Sequence, residues 1–163
     1  MSDIGNPNLI YSIPRAVIVQ SLAFLRSQGT RGHEGVVLWP AMLNGSGRCD
    51  VRECLVPQQV TGRYFYRIPD SETFRVIEYV ADRNWVVPIQ LHSHPEEAFH
   101  SPADDECAFV QHRNGISIVV PDFAAFPDLL FLDKAIVYAL VKGDEWRELT
   151  RSEVERRFFI VGG

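Results

Sequence analysis

At 163 residues the chain is long enough for one hydrophobic core to remove roughly 70% of its unfolded surface from water, so a single domain over residues 1–163 is expected. Apolar residues at 46% and charged residues at 23%, with 11 Gly and 10 Pro dispersed along the chain, exclude collagen-like, low-complexity and disordered classes and predict a soluble globular protein. A net charge of −5 with no block of basic residues longer than the Arg156-Arg157 pair argues against a nucleic-acid partner.

Cys49, Cys54 and Cys107 are an odd number without CxxC spacing. They suggest neither a disulfide framework nor a cysteine zinc knuckle, and they fit a reducing cytoplasm. The apolar run 16–25 is interrupted by Gln20 and Ser21 and lacks a basic leader, so neither a signal peptide nor a membrane span is predicted.

In chain order, Ser12 reads as an N-cap ahead of Pro14, and Ile18, Leu22 and Leu25 recur at helical spacing, predicting a helix over 14–27 that Gly29 stops. Strands are predicted over 36–39, closed by Pro40, and then over 51–56 and 86–91, where β-branched residues lie between turn signals. Ser71 opens a second helix whose apolar face is Phe74, Ile77 and Ala81 and which ends near Asn84. Ser101 as N-cap, Pro102 at the first position and Asp104 at the third open another, with Ala103, Cys107 and Val110 on one face and Gly115 as its stop. Strands over 116–120 and 134–141 follow, the second joined through Lys142-Gly143-Asp144 to a partner over 146–149. Thr150 with Glu153 then forms a capping box for a short terminal helix. The expected class is α/β, with a mixed central sheet flanked by helices.

His92 and His94 close the strand over 86–91, and side-chain alternation sends both imidazoles to one side. Asp104 lies in the first turn of the following helix, where a carboxylate can complete the three protein ligands of an open zinc site. Histidines at strand ends are also often merely solvated, so the pair alone leaves both readings open.

The stretch HSHPEEAFHSPADDECA, residues 92–108, resembles the JAMM signature of the MPN/JAB metalloproteases, HxH followed by Ser-x-x-Asp, and Glu34 matches the family's upstream Glu. The resemblance runs from about residue 14 to 123 and includes Pro121-Asp122-Phe123. It departs from the family in one place. Six residues, 95–100, separate His94 from Ser101 where the family usually has seven. Keeping Ser-x-x-Asp intact selects Ser101 and Asp104, whereas the family's usual count selects Pro102 and Asp105. The first pair is preferred, because Ser101 is a good N-cap and Pro102 has no hydroxyl.

The resemblance implies a cytidine-deaminase-like MPN/JAB domain binding one Zn2+ through His92, His94 and Asp104. It also implies that Glu34 is general base and then general acid, and that Ser101 donates to the tetrahedral oxyanion. The implied activity is a deubiquitinase-like isopeptidase or peptidase acting at the C-terminal tail of a ubiquitin-like protein or its conjugate. The expected setting is a bacterial conjugation or antiviral-defence operon that supplies activating and conjugating enzymes. Processing of a sulfur-carrier protein, or a non-catalytic scaffold, are the other functions the family allows. Cys107 is read as core packing, Glu96, Glu97 and His100 are assigned no role, and Gly162-Gly163 is read as a fraying end.

Overall fold

The two longest strands pair antiparallel at the centre of an eight-stranded mixed sheet in the computed structural model, which describes residues 3–162. In chain order the elements are β1 (Ile10–Pro14), α1 (Arg15–Gly29), β2 (Val36–Leu43), β3 (Arg48–Val51), β4 (Val60–Gly62), β5 (Phe65–Arg67) and α2 (Asp70–Ala81). They continue with β6 (Val86–Ser93), α3 (Pro102–Cys107), β7 (Ile116–Val120), α4 (Phe131–Lys134), β8 (Ile136–Lys142), β9 (Glu145–Glu148), α5 (Arg151–Arg157) and β10 (Phe158–Val161). The strand order is β10-β1-β3-β2-β6-β7-β8-β9, while β4 and β5 form a separate hairpin. β1 runs parallel to β10 and β3, and β6 runs parallel to β7; the remaining pairs are antiparallel.

The period-2 alternation of β2 and β6 divides the interior into two layers. Val37, Trp39, Ile89 and Leu91 face α1 and pack with its Val17, Ile18, Leu22 and Leu25. Val36 and Leu38 face the other way, onto Leu55, Tyr66 and Val76. Two polar side chains of the first layer pair: Trp39 Nε1 donates to Ser21 Oγ at 2.8 Å, and Ser21 Oγ donates to Val17 O at 2.7 Å. Gln90 and His92 share the second face, and the Tyr66 ring lies 5.2 Å from that of His92.

Several expectations change. Ser12 is a residue of β1, not a helix cap, and its hydroxyl accepts from Arg48 Nη2 at 3.2 Å; α1 starts after Pro14 without a side-chain cap. Pro40 does not end β2, because a register shift between Trp39 and Ala41 absorbs the proline. The strand expected over 51–56 ends at Val51, since Arg52 N turns to Pro40 O and only Leu55 bridges back to Leu38.

Helix α2 is rotated from its expected face. Phe74 and Ile77 are exposed, while Glu72, Val76 and Val80 are buried, because the Glu72 carboxylate accepts from Gln58 N at 2.9 Å and from the Arg75 guanidinium. Helix α3 stops at Cys107 rather than reaching Gly115: Ala108 is extended, and Val110 N leaves the helix to donate to Gln90 Oε1 at 2.9 Å. Lys134 belongs to α4, and β8 begins at Ile136. The Thr150–Glu153 capping box forms as expected. Gly163 lies outside the described residues, and Gly162 O accepts from Arg15 Nε at 3.4 Å.

The chain leaving β7 fixes the site end of the sheet. Asp122, Phe123 and Ala124 are consecutively left-handed, at φ of 54°, 51° and 61°. Such residues cost on the order of 1–3 kcal/mol each and persist only where their surroundings hold them. Here Asp122 N donates to Glu96 O and Phe123 N to His94 O, while Arg26 donates to Ala124 O, Phe126 O and Asp128 Oδ1. Gly29 lets α1 approach this turn, since a Cβ there would lie 2.4 Å from Phe123 Cβ. Gly29→Ala is therefore expected to destabilise the protein by about 1–3 kcal/mol through overpacking. Chemical denaturation showing wild-type stability would contradict this role for Gly29.

Candidate metal centre and active site

His92 is the penultimate residue of β6 and His94 follows its end, so the period-2 geometry presents both rings on the α2 face of the sheet. Ser93, between them, points to the opposite side of the strand and accepts from Gly35 N at 3.1 Å. His94 N donates to Val120 O at 2.8 Å, which ties the strand end to β7.

A six-residue loop then delivers α3. Ser101 caps the helix: its Oγ accepts from Asp104 N at 3.2 Å, and Asp104 Oδ2 accepts from Ser101 N at 2.7 Å. This reciprocal cap sets the Asp104 carboxylate against the histidines, with Oδ2 3.2 Å from His94 Nε2 and 3.3 Å from His92 Nε2. All three residues are buried, and their ligating atoms lie within 4.8 Å of one another. Burial opposes the charge on Asp104, but His92, His94 and Ser101 N hold its carboxyl well below the usual carboxylate range.

Glu34 lies two residues before β2, where its N–H donates to Gly62 O at 2.8 Å. Its side chain is buried and Oε2 has no hydrogen-bond partner among the described residues. Burial, reinforced by the Asp104 charge and opposed by His94, raises the carboxyl to about 7. A carboxyl in that range can both take and give a proton near neutrality. Glu34, His94 and Ser101 line one cleft of about 410 Å³, together with Tyr64 from the β4–β5 turn and Phe99 and Glu96 from the loop before α3.

Of the residues singled out in the sequence, His92, His94 and Asp104 come together, with Glu34 and Ser101 beside them. Asp105 turns away, its Oδ1 2.6 Å from His100 Nδ1. Cys107 lies outside the histidine–aspartate group and is half-buried against the cluster around Val36 and Tyr66, while Ala103 is exposed. Glu97 also lines the cleft. Sequence reasoning missed Tyr64, Tyr66 and Phe99; Phe99 meets the His94 ring edge-on with centroids 4.6 Å apart. Tyr64 and Tyr66 belong to a hairpin of three-residue strands whose Arg63-Tyr64 turn carries no Asn-Gly or Gly signal.

The residues fit a cation. His92 Nε2 is buried, has no hydrogen-bond partner among the described residues, and converges with His94 Nε2 and Asp104 Oδ2 on one point. Two imidazoles and one carboxylate are the donor set of an open metal site. A mixed sheet carrying such a group at a strand end, with an unpartnered glutamate in the adjoining cleft, defines a metal-dependent hydrolase.

Comparison with known proteins gives the same class. The chain is 30% identical over 156 residues to the "probable metalloprotease y4jG" of Sinorhizobium fredii, covering 92% of this chain and 93% of that one. No protein-family model matches it. Among solved structures it is similar to the solution structure of a Desulfitobacterium hafniense protein, with a TM-score of 0.67, 16% identity and 94% of both chains covered. It is also similar to the crystal structure of a JAB1/MPN domain protein from Archaeoglobus fulgidus, with a TM-score of 0.53, 15% identity, and 94% of this chain and 100% of that one covered. The chain belongs to the JAMM/MPN metalloprotease family and is a metal-dependent peptidase. Among the described residues no helix is long and apolar enough to cross a membrane.

Proposed function

We propose that the protein is a zinc isopeptidase or peptidase that cuts after the C-terminal tail of a ubiquitin-like protein, in the cytoplasm of a bacterium. The observation that carries this reading is the convergence of an unpartnered buried Glu34 and the helix-capping Ser101 on the His92–His94–Asp104 group. His92, His94 and Asp104 hold the ion, one per chain. Zinc bound there supplies Lewis acidity, polarising the scissile carbonyl and easing the ionisation of water.

The chain's own residues do the rest. Glu34 Oε2 accepts the proton of the attacking water and later passes it to the leaving amine, and burial keeps its carboxyl poised for both transfers. Ser101 Oγ accepts from Asp104 N, which leaves the hydroxyl proton free to donate to the developing oxyanion. A non-catalytic scaffold has no use for a buried carboxylate without a partner, a costly group to maintain.

The cleft favours a slender, extended segment. Tyr64 and Phe99 line it from two different segments, and its volume is about 410 Å³. A glycine-rich tail has no bulky side chains to clash there, and its main chain can pair along an exposed strand. The proposed setting is a conjugation or defence operon with activating and conjugating enzymes.

A ubiquitin-like protein encoded beside this gene, fused through its tail to a reporter domain, should be cut after the tail by zinc-loaded enzyme, and a chelator should stop the cut. Casein-like substrates should be cleaved poorly. Efficient hydrolysis of unrelated peptides with no cut at the fusion would reject the specificity and leave a general metallopeptidase. Cleavage confined to a sulfur-carrier protein would move the substrate to that class with the same chemistry.

A further inference from the structure

His100 is an enclosed imidazole beside the metal centre that the chemistry above leaves unused. Its side chain is 4% exposed, and its ring lies against Trp146 with centroids 4.6 Å apart and against Tyr138 at 5.4 Å. His100 Nδ1 is 2.6 Å from Asp105 Oδ1, with the carboxylate off the axis of the ring N–H, so the contact is electrostatic rather than an aligned hydrogen bond. Two lone pairs repel at that separation, so the proton sits on Nδ1 and Nε2 is left as an acceptor. That nitrogen is buried and has no partner among the described residues.

His92 offers the complement. Its Nε2 faces Asp104 Oδ2 at 3.3 Å, so when Nε2 serves as a ligand the ring proton is on Nδ1. His92 Nδ1 is also buried and also without a partner among the described residues. The two rings meet edge to face with centroids 6.0 Å apart. A buried donor on one ring and a buried acceptor on its neighbour are groups that one bridging water can join.

We propose that Asp105 and His100 are positioning residues of the metal centre, a carboxylate–imidazole pair that receives the His92 Nδ1–H and so holds His92 with Nε2 toward the ion. The inference rests on the metal reading above. It accounts for the two adjacent aspartates of α3, which a helix sends about 100° apart. Asp104 faces the histidine ligands, and Asp105 anchors the ring behind one of them. Trp146 of β9 and Tyr138 of β8 hold that ring in place, which ties the hairpin at the sheet edge to the site.

The test is zinc affinity by competition with a chromophoric chelator, together with the visible spectrum of the cobalt(II)-substituted protein. His100→Phe keeps an aromatic ring against Trp146 and removes the acceptor. It should weaken zinc binding by about 10- to 100-fold and alter the cobalt bands, the usual loss for an outer partner of a ligand. His100→Gln restores an acceptor and should recover part of the affinity. Asp105→Asn, at a side chain 27% exposed, leaves the ring packing intact and should lose affinity in the same direction. Wild-type affinity and cobalt spectrum in both His100→Phe and Asp105→Asn would overturn the proposal. So would a loss in His100→Phe that His100→Gln does not relieve and Asp105→Asn does not share, because that pattern is lost packing alone. A wild-type protein that takes up neither zinc nor cobalt overturns the metal reading itself, and this proposal with it.

Discussion

Asp104→Ala is expected to leave a protein that cannot retain its metal, with peptidase activity lost alongside it. Asp104 supplies the single anionic donor of the group, and its oxygen already lies 3.2–3.3 Å from both histidine nitrogens. Removing it leaves two imidazoles, and the neighbouring carboxylate of α3, Asp105, faces His100 instead. The loss in affinity should exceed the about 10- to 100-fold that an outer partner costs. Asp104→Asn separates this effect from the helix cap, because its side-chain oxygen can still accept from Ser101 N while the charge is gone. Elemental analysis after metal-replete purification, with chelator competition, measures both variants. Retention of one metal per chain at wild-type affinity in Asp104→Ala would remove Asp104 from the ligand set.

Glu34→Gln is expected to do the opposite, abolishing turnover while the metal stays bound. Glu34 is outside the group of converging donors, and its backbone anchor to Gly62 does not involve the carboxyl. The isosteric amide keeps the volume of the buried site but cannot take a proton from water. Loss of a positioned general base costs about 10²–10⁴ in rate, so kcat should fall by that factor with KM and zinc content near wild type. Thermal unfolding serves as the control that the variant is folded. Near wild-type kcat in Glu34→Gln would assign the proton transfer to another group.

The convergence of His92, His94 and Asp104 was legible because each part of it is local. Two residues apart on a strand means one face, and Ser101, Pro102 and Asp104 spell a helix start whose third position returns to its cap. The strands β2, β6 and β7 were legible for a similar reason, being apolar runs buried on both faces. β1 and β10 were not read as strands at all. They pair with each other in parallel across nearly the whole length of the chain, Tyr11 opposite Phe158, and no local pattern encodes a partner that distant.

By itself the sequence placed His92, His94 and Asp104 together, since two histidines at a strand end and an aspartate in the first turn of a capped helix are set by short-range geometry, whereas Glu34 was reached through the resemblance to the family. It also determined the periodicities that place α1 and the central strands. Tertiary structure alone decided which face α2 buries: Val76 and Val80 pack inward and the Glu72 carboxylate takes Gln58 N, while Phe74 and Ile77 stay exposed. It alone decided where α3 ends, through Gln90 reaching from β6 to take Val110 N. It also brought Tyr64, Tyr66 and Phe99 to the site and set His100 between Asp105, Trp146 and His92. These are contacts between residues far apart in the chain or turned by packing. Their geometry follows from how the layers close on one another, and no spacing along the sequence records it.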